Sequence, residues 1–271
     1  GAVLVSTYEK LGQLKYNLDG TLESWTPANG LAGSRVRVAE QFSNGDIYVG
    51  TTSGLSIISS DGTITNITKN EEIQNDYIMC IHEDKDGSVW VGTDGGGIFV
   101  LKDKQVVKKI TKDDNLSGNV IFKILNLRDD ELWICTGTGL SIYKNDQIFS
   151  FSSVSGLGYD SVFQVILDYT QKIWFTTNQG IFNLKLSEID EVMAGTKNYV
   201  NPKFFTRQDG IDSGGVTSTS LSMKDNLGRI WFTLIDGFTI FDPVRNESNN
   251  SAPKITIQDV FLDSEKTTFK D

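Results

Sequence analysis

The sequence predicts an all-β fold, and three observations predict it. Glycine is frequent and proline scarce, 26 against 4 in 271 residues, beside many Val, Ile, Thr, Trp, Tyr and Phe. That balance describes short strands punctuated by glycine turns. One phrase recurs along the chain: an apolar residue, an aromatic marker, another apolar residue, then small residues. Each recurrence is embedded in the same order of four short strands, so the fold is built by repetition.

The copies read Val3-Leu4-Val5, Ile47-Tyr48-Val49-Gly50-Thr51, Val89-Trp90-Val91-Gly92-Thr93, Leu132-Trp133-Ile134-Cys135-Thr136, Ile173-Trp174-Phe175-Thr176-Thr177 and Ile230-Trp231-Phe232-Thr233. Their middle residues are separated by 44, 42, 43, 41 and 57 positions, a period of 41 to 44 with one insertion. In the third copy residues 76–81 read as a first strand, 84–87 as a turn and 88–92 as a second strand. Gly95, Gly96 and Gly97 turn into a third strand over 98–101, and 105–110 make a fourth. Four antiparallel strands per period of about 40 residues is the signature of a β-propeller blade. The first two strands are apolar almost without interruption, as expected of a sheet covered on both faces by neighbouring blades.

The fifth copy holds the insertion. Residues 187–195 read as a short surface helix with Ser187 as its cap and Gly195 as its stop, after which the fourth strand resumes at Lys203-Phe204-Phe205. The first copy lacks its innermost strand, and the sixth ends after residues 238–241 unless 254–261 supplies one more strand. The expected architecture is therefore six four-stranded blade repeats, ragged at both ends, over residues 2–243, with the possibility that they belong to a longer array. An open arc of this kind exposes two apolar sheet faces, so imperfect ring closure or self-association is expected.

Composition excludes several classes of function. Asp and Glu number 35 against 25 Lys and Arg, a formal net charge of −10, and no long basic block offsets it. Nucleic acid, whose binding rests on phosphate neutralisation, is not an expected partner. No apolar run approaches the roughly 20 residues a bilayer requires, so no membrane contact is expected within this stretch. Cys80 and Cys135 lie far apart with no CxxC pair, and neither a zinc site nor a disulfide framework is expected. No secretory signal opens the sequence, so such a signal is expected to be absent or to lie outside this stretch.

The repeat text resembles a known family. Asp114-Asn115-Leu116-Ser117-Gly118-Asn119-Val120, and the run from His82 through Asp84-Lys85-Asp86-Gly87 and Val89-Trp90-Val91-Gly92-Thr93 to Gly96-Gly97-Ile98, are similar to the two-component regulator propeller repeat. Copies two to four fit best; the fifth has Thr170-Gln171 where the pattern has Asp-Gly, and the sixth is also looser. Beyond Asp242-Pro243, residues 244–271 resemble the link and opening strand of a Y_Y_Y-type β-sandwich domain. The resemblance implies the periplasmic sensor region of a hybrid two-component histidine kinase of Bacteroidetes. The kinase itself lies outside this chain.

Most conspicuous residues have a structural explanation. Asp84-Lys85-Asp86-Gly87 could open a calcium loop, but Ser43-Asn44-Gly45, Arg128-Asp129-Asp130 and Asp225-Asn226-Leu227-Gly228 hold its place elsewhere with no fixed ligand set. A side-chain-capped hairpin turn is the simpler reading. The triple glycine at 95–97 precedes a strand, not a helix, and so is no phosphate cradle. His82 is the only histidine and has no supporting pair in other copies. The markers Trp90, Trp133, Trp174 and Trp231 read as packing residues between blades.

Binding residues should instead vary from copy to copy, on loops that converge around the central channel. Fourteen positions before each marker stand Ser34, Asp76, Asn119, Asp160 and Thr217, all polar and mostly unlike. Arg35 and Tyr77 adjoin them, and the turn between the second and third strands adds Asp94, Asn178 and Asp236. These ten form the candidate site, suited to an oligosaccharide or another small polar ligand, with no cofactor, metal or catalytic residue. The expected function is a ligand-sensing propeller that signals to a downstream kinase. A scaffold for subunit association is the alternative, and a propeller hydrolase or lyase is a third reading, weakened by the lone histidine.

Overall fold

Among the described residues, six antiparallel sheets of three or four strands follow one another along the chain, each in simple up-and-down order. The structure, a computed structural model, describes residues 2–70, 73–128, 130–206, 209, 211, 216–219, 221–235, 237–244, 260–262 and 265–267. Blade 1 contains Val3–Ser6, Gln13–Tyr16 and Leu22–Trp25, and blade 2 contains Val36–Gln41, Ile47–Thr51, Gly54–Ile58 and Ile64–Ile67. Blade 3 is Ile78–Glu83, Val89–Thr93, Ile98–Lys102 and Gln105–Ile110; blade 4 is Ile121–Arg128, Glu131–Thr136, Gly139–Lys144 and Gln147–Phe151. Blade 5 is Val162–Leu167, Lys172–Thr177, Gly180–Lys185 and Lys203–Phe205, and blade 6 is Met223–Lys224, Ile230–Leu234 and Gly237–Phe241. The fold is the β-propeller that the repeat predicts. Blade 1 lacks its innermost strand and blade 6 its outermost among the described residues.

Five apolar clusters join the six blades, one per seam. Leu4 and Trp25 meet Val36, Ile47 and Val49 between blades 1 and 2. Tyr48, Leu55 and Ile57 meet Ile78, Ile81 and Val91 at the next seam, and Trp90 and Ile98 meet Ile121 and Ile124 at the third. Trp133 and Leu140 pack against Val162 and Val165, and Trp174 against Ile230 and Phe232. Every marker aromatic from Tyr48 to Trp174 thus faces the following blade, while the residues flanking it face the preceding one. Strand-two residues of blades 2 to 4 are buried throughout for this reason.

The same rule explains where apolar surface is left exposed. Val3 and Val5 flank Leu4 and are 61% and 38% exposed, since no blade precedes theirs among the described residues. Trp231, Phe238 and Ile240 share the forward face of blade 6, where Phe238 is 64% exposed and stacks on Trp231 at 5.3 Å.

Local motifs recur with the blades. Asp168 accepts hydrogen bonds from the backbone of Thr170 and Lys172 and from Trp174 Nε1, and Asp225 repeats this with Leu227, Arg229 and Trp231 Nε1. The aspartate therefore caps the turn and anchors the indole together. In blade 4 Glu131 does the second task, accepting from Trp133 Nε1 at 3.0 Å. Gln171 takes a left-handed backbone (φ 60°) where Gly87 and Gly228 stand in other copies, a strain other side chains seldom accept. Gly92 is required by close approach: a methyl there would come 2.6 Å from both Cys80 Sγ and Ile121 Cγ2.

Two details differ from the sequence reading. The inserted helix α1 spans Leu186–Met193, so Ser187 lies inside its first turn and the capping position belongs to Lys185. Burial of Leu186 and Ile189 in the seam between blades 4 and 5 draws the helix start inward. Three 3-10 turns, Pro27–Asn29, Lys112–Asp114 and Ser153–Ser155, lead from outermost strands towards the next blade. Near the C-terminus, Val260–Leu262 pairs with Glu265–Thr267 in a two-stranded sheet, and residues 245–259 of the expected link and strand lie outside the described set.

Candidate functional site

The innermost strands carry one irregularity in common. Pairing between first and second strands shifts register at Val36/Val38, Ile78/Cys80, Ile121/Lys123 and Val162/Gln164, the same place in blades 2 to 5. A bulge leaves one residue of the strand unpaired and re-aims its side chain. The residues so placed are Arg37, Met79, Phe122 and Phe163. Arg37, Met79 and Phe122 line a central cavity of about 280 Å3 together with Glu40, Lys123, Ser6 and Ser218. Phe122 and Phe163 meet edge to face at 4.9 Å.

At the mouth of this channel four side chains from three blades converge. Tyr8 Oη lies 2.8 Å from Tyr77 Oη. The Arg35 guanidinium sits 5.8 Å from the Tyr8 ring centroid, and that of Arg37 sits 5.9 Å from Tyr8 and 5.7 Å from Tyr77, within cation–π range. The hydrogen bond from Tyr77, reinforced by Arg37 and Arg35, holds the Tyr8 phenol below its ordinary pKa of 10.0. Tyr77 moves the other way, through its bond to Tyr8, burial and the field of Asp94.

The structure divides the ten candidates. Arg35 and Tyr77 belong to the cluster, and Asp94 lies beside Tyr77, whose carbonyl accepts its backbone N–H at 2.9 Å. Asn119 spends its side-chain oxygen on the Lys112 N–H at 2.8 Å, and Asp76 caps Lys69 in the same way at 3.3 Å. Both are turn caps. Seven residues before Ser34, the place that Lys112 and Lys69 hold for the other two, stands Pro27, which has no N–H to offer. Asp160 and Asn178 are exposed, outside the cluster, and Thr217 lies 3.1 Å from Thr219. Asp236 lies outside the described residues.

Two positions of the cluster, Tyr8 and Arg37, are not among the ten candidates. Tyr8 stands four residues after its marker, the offset that selected Asp94 and Asn178, so the signal was present. Arg37 stands eleven residues before its marker, where the copies read Arg, Met, Phe and Phe.

Two larger clefts, about 460 and 440 Å3, lie between the outer edges of neighbouring blades. Several of their charges are paired within the protein: Lys108 with Asp146, Lys102 with Asp86 and Lys104 with Asp46, while Glu83 accepts from Ser43. His82, at the other end of the innermost strand from Tyr77, lies 2.6 Å from Asn126 Oδ1 and ties blade 3 to blade 4. Cys80 and Cys135 are buried free thiols; burial pushes Cys80 up to about 12 and Cys135 higher still. Among the described residues no cluster of His, Cys, Asp and Glu is arranged to hold a metal.

Residues 72–95 match the model of the two component regulator propeller. That stretch, in blade 3, is thus similar to one two-component regulator propeller repeat. A histidine kinase of Formosa agariphila is 28% identical over 204 residues, 71% of this chain and 14% of that protein. The extracellular domain of a hybrid two-component system of B. thetaiotaomicron superposes over 90% of this chain and 32% of its own, at 24% identity and a TM-score of 0.72. Virginiamycin B lyase of Staphylococcus aureus superposes over 86% of this chain and 74% of its own, at 16% identity and a TM-score of 0.59. The chain thus spans a small part of its sensor relatives. The structural likenesses establish the propeller, an architecture that hosts both sensors and enzymes.

Proposed function

We propose that this segment is the extracytoplasmic, periplasmic ligand-sensing propeller of a hybrid two-component sensor, and that it takes a carbohydrate-derived ligand at the channel mouth without catalysing a reaction. The observation that carries the reading is the cluster of Tyr8, Arg35, Arg37 and Tyr77, which gathers polar and aromatic groups from three blades. The propeller repeat and the kinase and sensor relatives support the signalling role. Tyrosine rings that are partly accessible beside guanidinium donors suit a polyhydroxylated ligand, which needs apolar ring contact and several hydrogen bonds at once.

Signalling requires the ligand to favour one arrangement of blades and following residues over another, by about 1 to 3 kcal/mol for a typical coupling. Residues 244–271, read as a link and the opening of a Y_Y_Y-type domain, would receive that bias. Calorimetric titration with a panel of oligosaccharides tests the proposal. Binding abolished by Tyr77→Ala, with the melting temperature unchanged, is the expected result; a panel that gives neither heat nor thermal shift refutes it.

A second reading, a scaffold for self-association, rests on the uncovered faces of blades 1 and 6 carrying Val3, Val5, Phe238 and Ile240. Sedimentation of the wild type and of Phe238→Ser separates the two. Association lost in the variant while sugar binding persists assigns this face to subunit contact.

A further inference from the structure

The charge balance at the channel mouth is opposite to that of the whole chain. With 35 acidic against 25 basic residues, an arginine here has many carboxylates to choose from. Arg128 takes Glu131 and Asp190, and Arg229 takes Asp225. Arg35 and Arg37 make no ion pair among the described residues and rest on tyrosine faces instead. Stacking orients a guanidinium, and although Arg37 also reaches the Tyr8 hydroxyl, a guanidinium has five N–H donors and those left over can meet a planar or tetrahedral anion.

We infer that the ligand of this mouth carries an anionic group, the carboxylate of a sugar acid or a sulfate ester, seated on the guanidiniums of Arg35 and Arg37 beside the phenols of Tyr8 and Tyr77. The inference rests on the sugar-sensing reading and narrows it. Three further observations agree. The Tyr8 phenol, held below its ordinary pKa chiefly by the Tyr77 hydrogen bond, is lowered further by the charges of Arg37 and Arg35. The bulge carries Arg37 into the cavity, whose other charged lining groups are Lys123 and Glu40, leaving a cationic excess. Ser6, Ser218 and Thr219 line the same cavity and supply hydroxyls for the neutral part of the ligand. The space of about 280 Å3 lies near the lower bound of ligand pockets, about 300 Å3. It fits a short saccharide and not a polyelectrolyte chain.

The test is titration calorimetry of the full 271-residue chain with digalacturonate, a sulfated disaccharide, neutral digalactose and inorganic sulfate. One acidic disaccharide is expected to bind at least tenfold tighter than the neutral one, and which of the two does so identifies the anion. Arg35→Gln and Arg37→Gln should each weaken it about 10- to 100-fold, the worth of a hydrogen bond to a charged group. Binding should also raise the Tyr8 pKa, read from tyrosinate absorbance and absent in Tyr8→Phe. Melting curves verify that each variant is folded. Digalactose binding as tightly as either acid, with loss in Tyr77→Ala, overturns the anionic inference and keeps the sugar-sensing reading. Inorganic sulfate matching the sulfated disaccharide overturns the sugar part of it, and no binding by any saccharide overturns both.

Discussion

Truncating the marker tryptophans one at a time tests the rule that each packs against the blade that follows. Trp133 is fully buried between blades 4 and 5, and its indole donates to Glu131. Removing a core tryptophan side chain costs about 3 to 5 kcal/mol, a large share of the total stability of a domain. Trp231 occupies the same place on blade 6, where it meets Phe238, Ile240 and Arg229 of its own sheet and no following blade among the described residues. An aromatic pair of that kind contributes about 1 kcal/mol. Trp133→Ala should therefore destabilise by about 3 kcal/mol more than Trp231→Ala. Guanidinium unfolding followed by circular dichroism, at a protein concentration low enough to keep the chain monomeric, measures both. In a repeat array Trp133→Ala should also broaden the transition, because it weakens an interior seam and uncouples the blades on either side. Equal costs for the two variants refute the forward-packing rule, since they would require blade 6 to be covered as completely as blade 4.

Other predictions follow from single contacts. Cys80 and Cys135, with pKa values raised by burial, should resist alkylation at pH 8 in the native protein and react at once in denaturant, as mass spectrometry would show. Burial opposes ionisation of Glu131, yet hydrogen bonds from Arg128, Lys144 and Trp133 outweigh it and hold the carboxyl below its ordinary 4.5. A depressed folded-state pKa stabilises above the unfolded value and loses that stabilisation as pH falls through the folded one. Melting temperature should thus decline below about pH 4.5, and less steeply in Glu131→Gln. Gly92→Val should cost about 1 to 3 kcal/mol by overpacking against Cys80 and Ile121, measurable by denaturant midpoint.

The architecture was legible because the seams impose a periodic demand. Each blade must bury an aromatic forward and branched residues backward, so Tyr48, Trp90, Trp133 and Trp174 recur at a nearly fixed step. The site was legible only in part, because polarity at a loop position does not reveal what the side chain is spent on. Asp76 and Asn119 looked equivalent to Ser34, and all three are polar; two of them cap backbone N–H groups, and only Pro27 frees the third. The bulge was hidden for another reason. Skipping one residue in a strand buried on both faces leaves the surrounding apolar pattern unbroken, so nothing in that pattern marked Arg37 as a side chain turned towards the channel.

Propeller geometry separates the residues that hold the ring from those that can meet a ligand. The repeated polar groups are consumed within the blades: Thr51, Thr93, Thr136 and Thr177 each donate to the carbonyl that closes their hairpin, and Asp168 and Asp225 hold their tryptophans. What remains for the channel are the bulge and turn positions, where copies diverge. They diverge in a directed way, with Arg37 and its phenols towards blades 1 to 3 and the edge-to-face pair of Phe122 and Phe163 on blades 4 and 5. A channel lined identically by every blade would accept a ligand in as many rotations as it has blades. One charged wall and one aromatic wall leave a single preferred rotation, and a sensor needs that, because only a ligand held in one orientation can favour one arrangement of the blades over another.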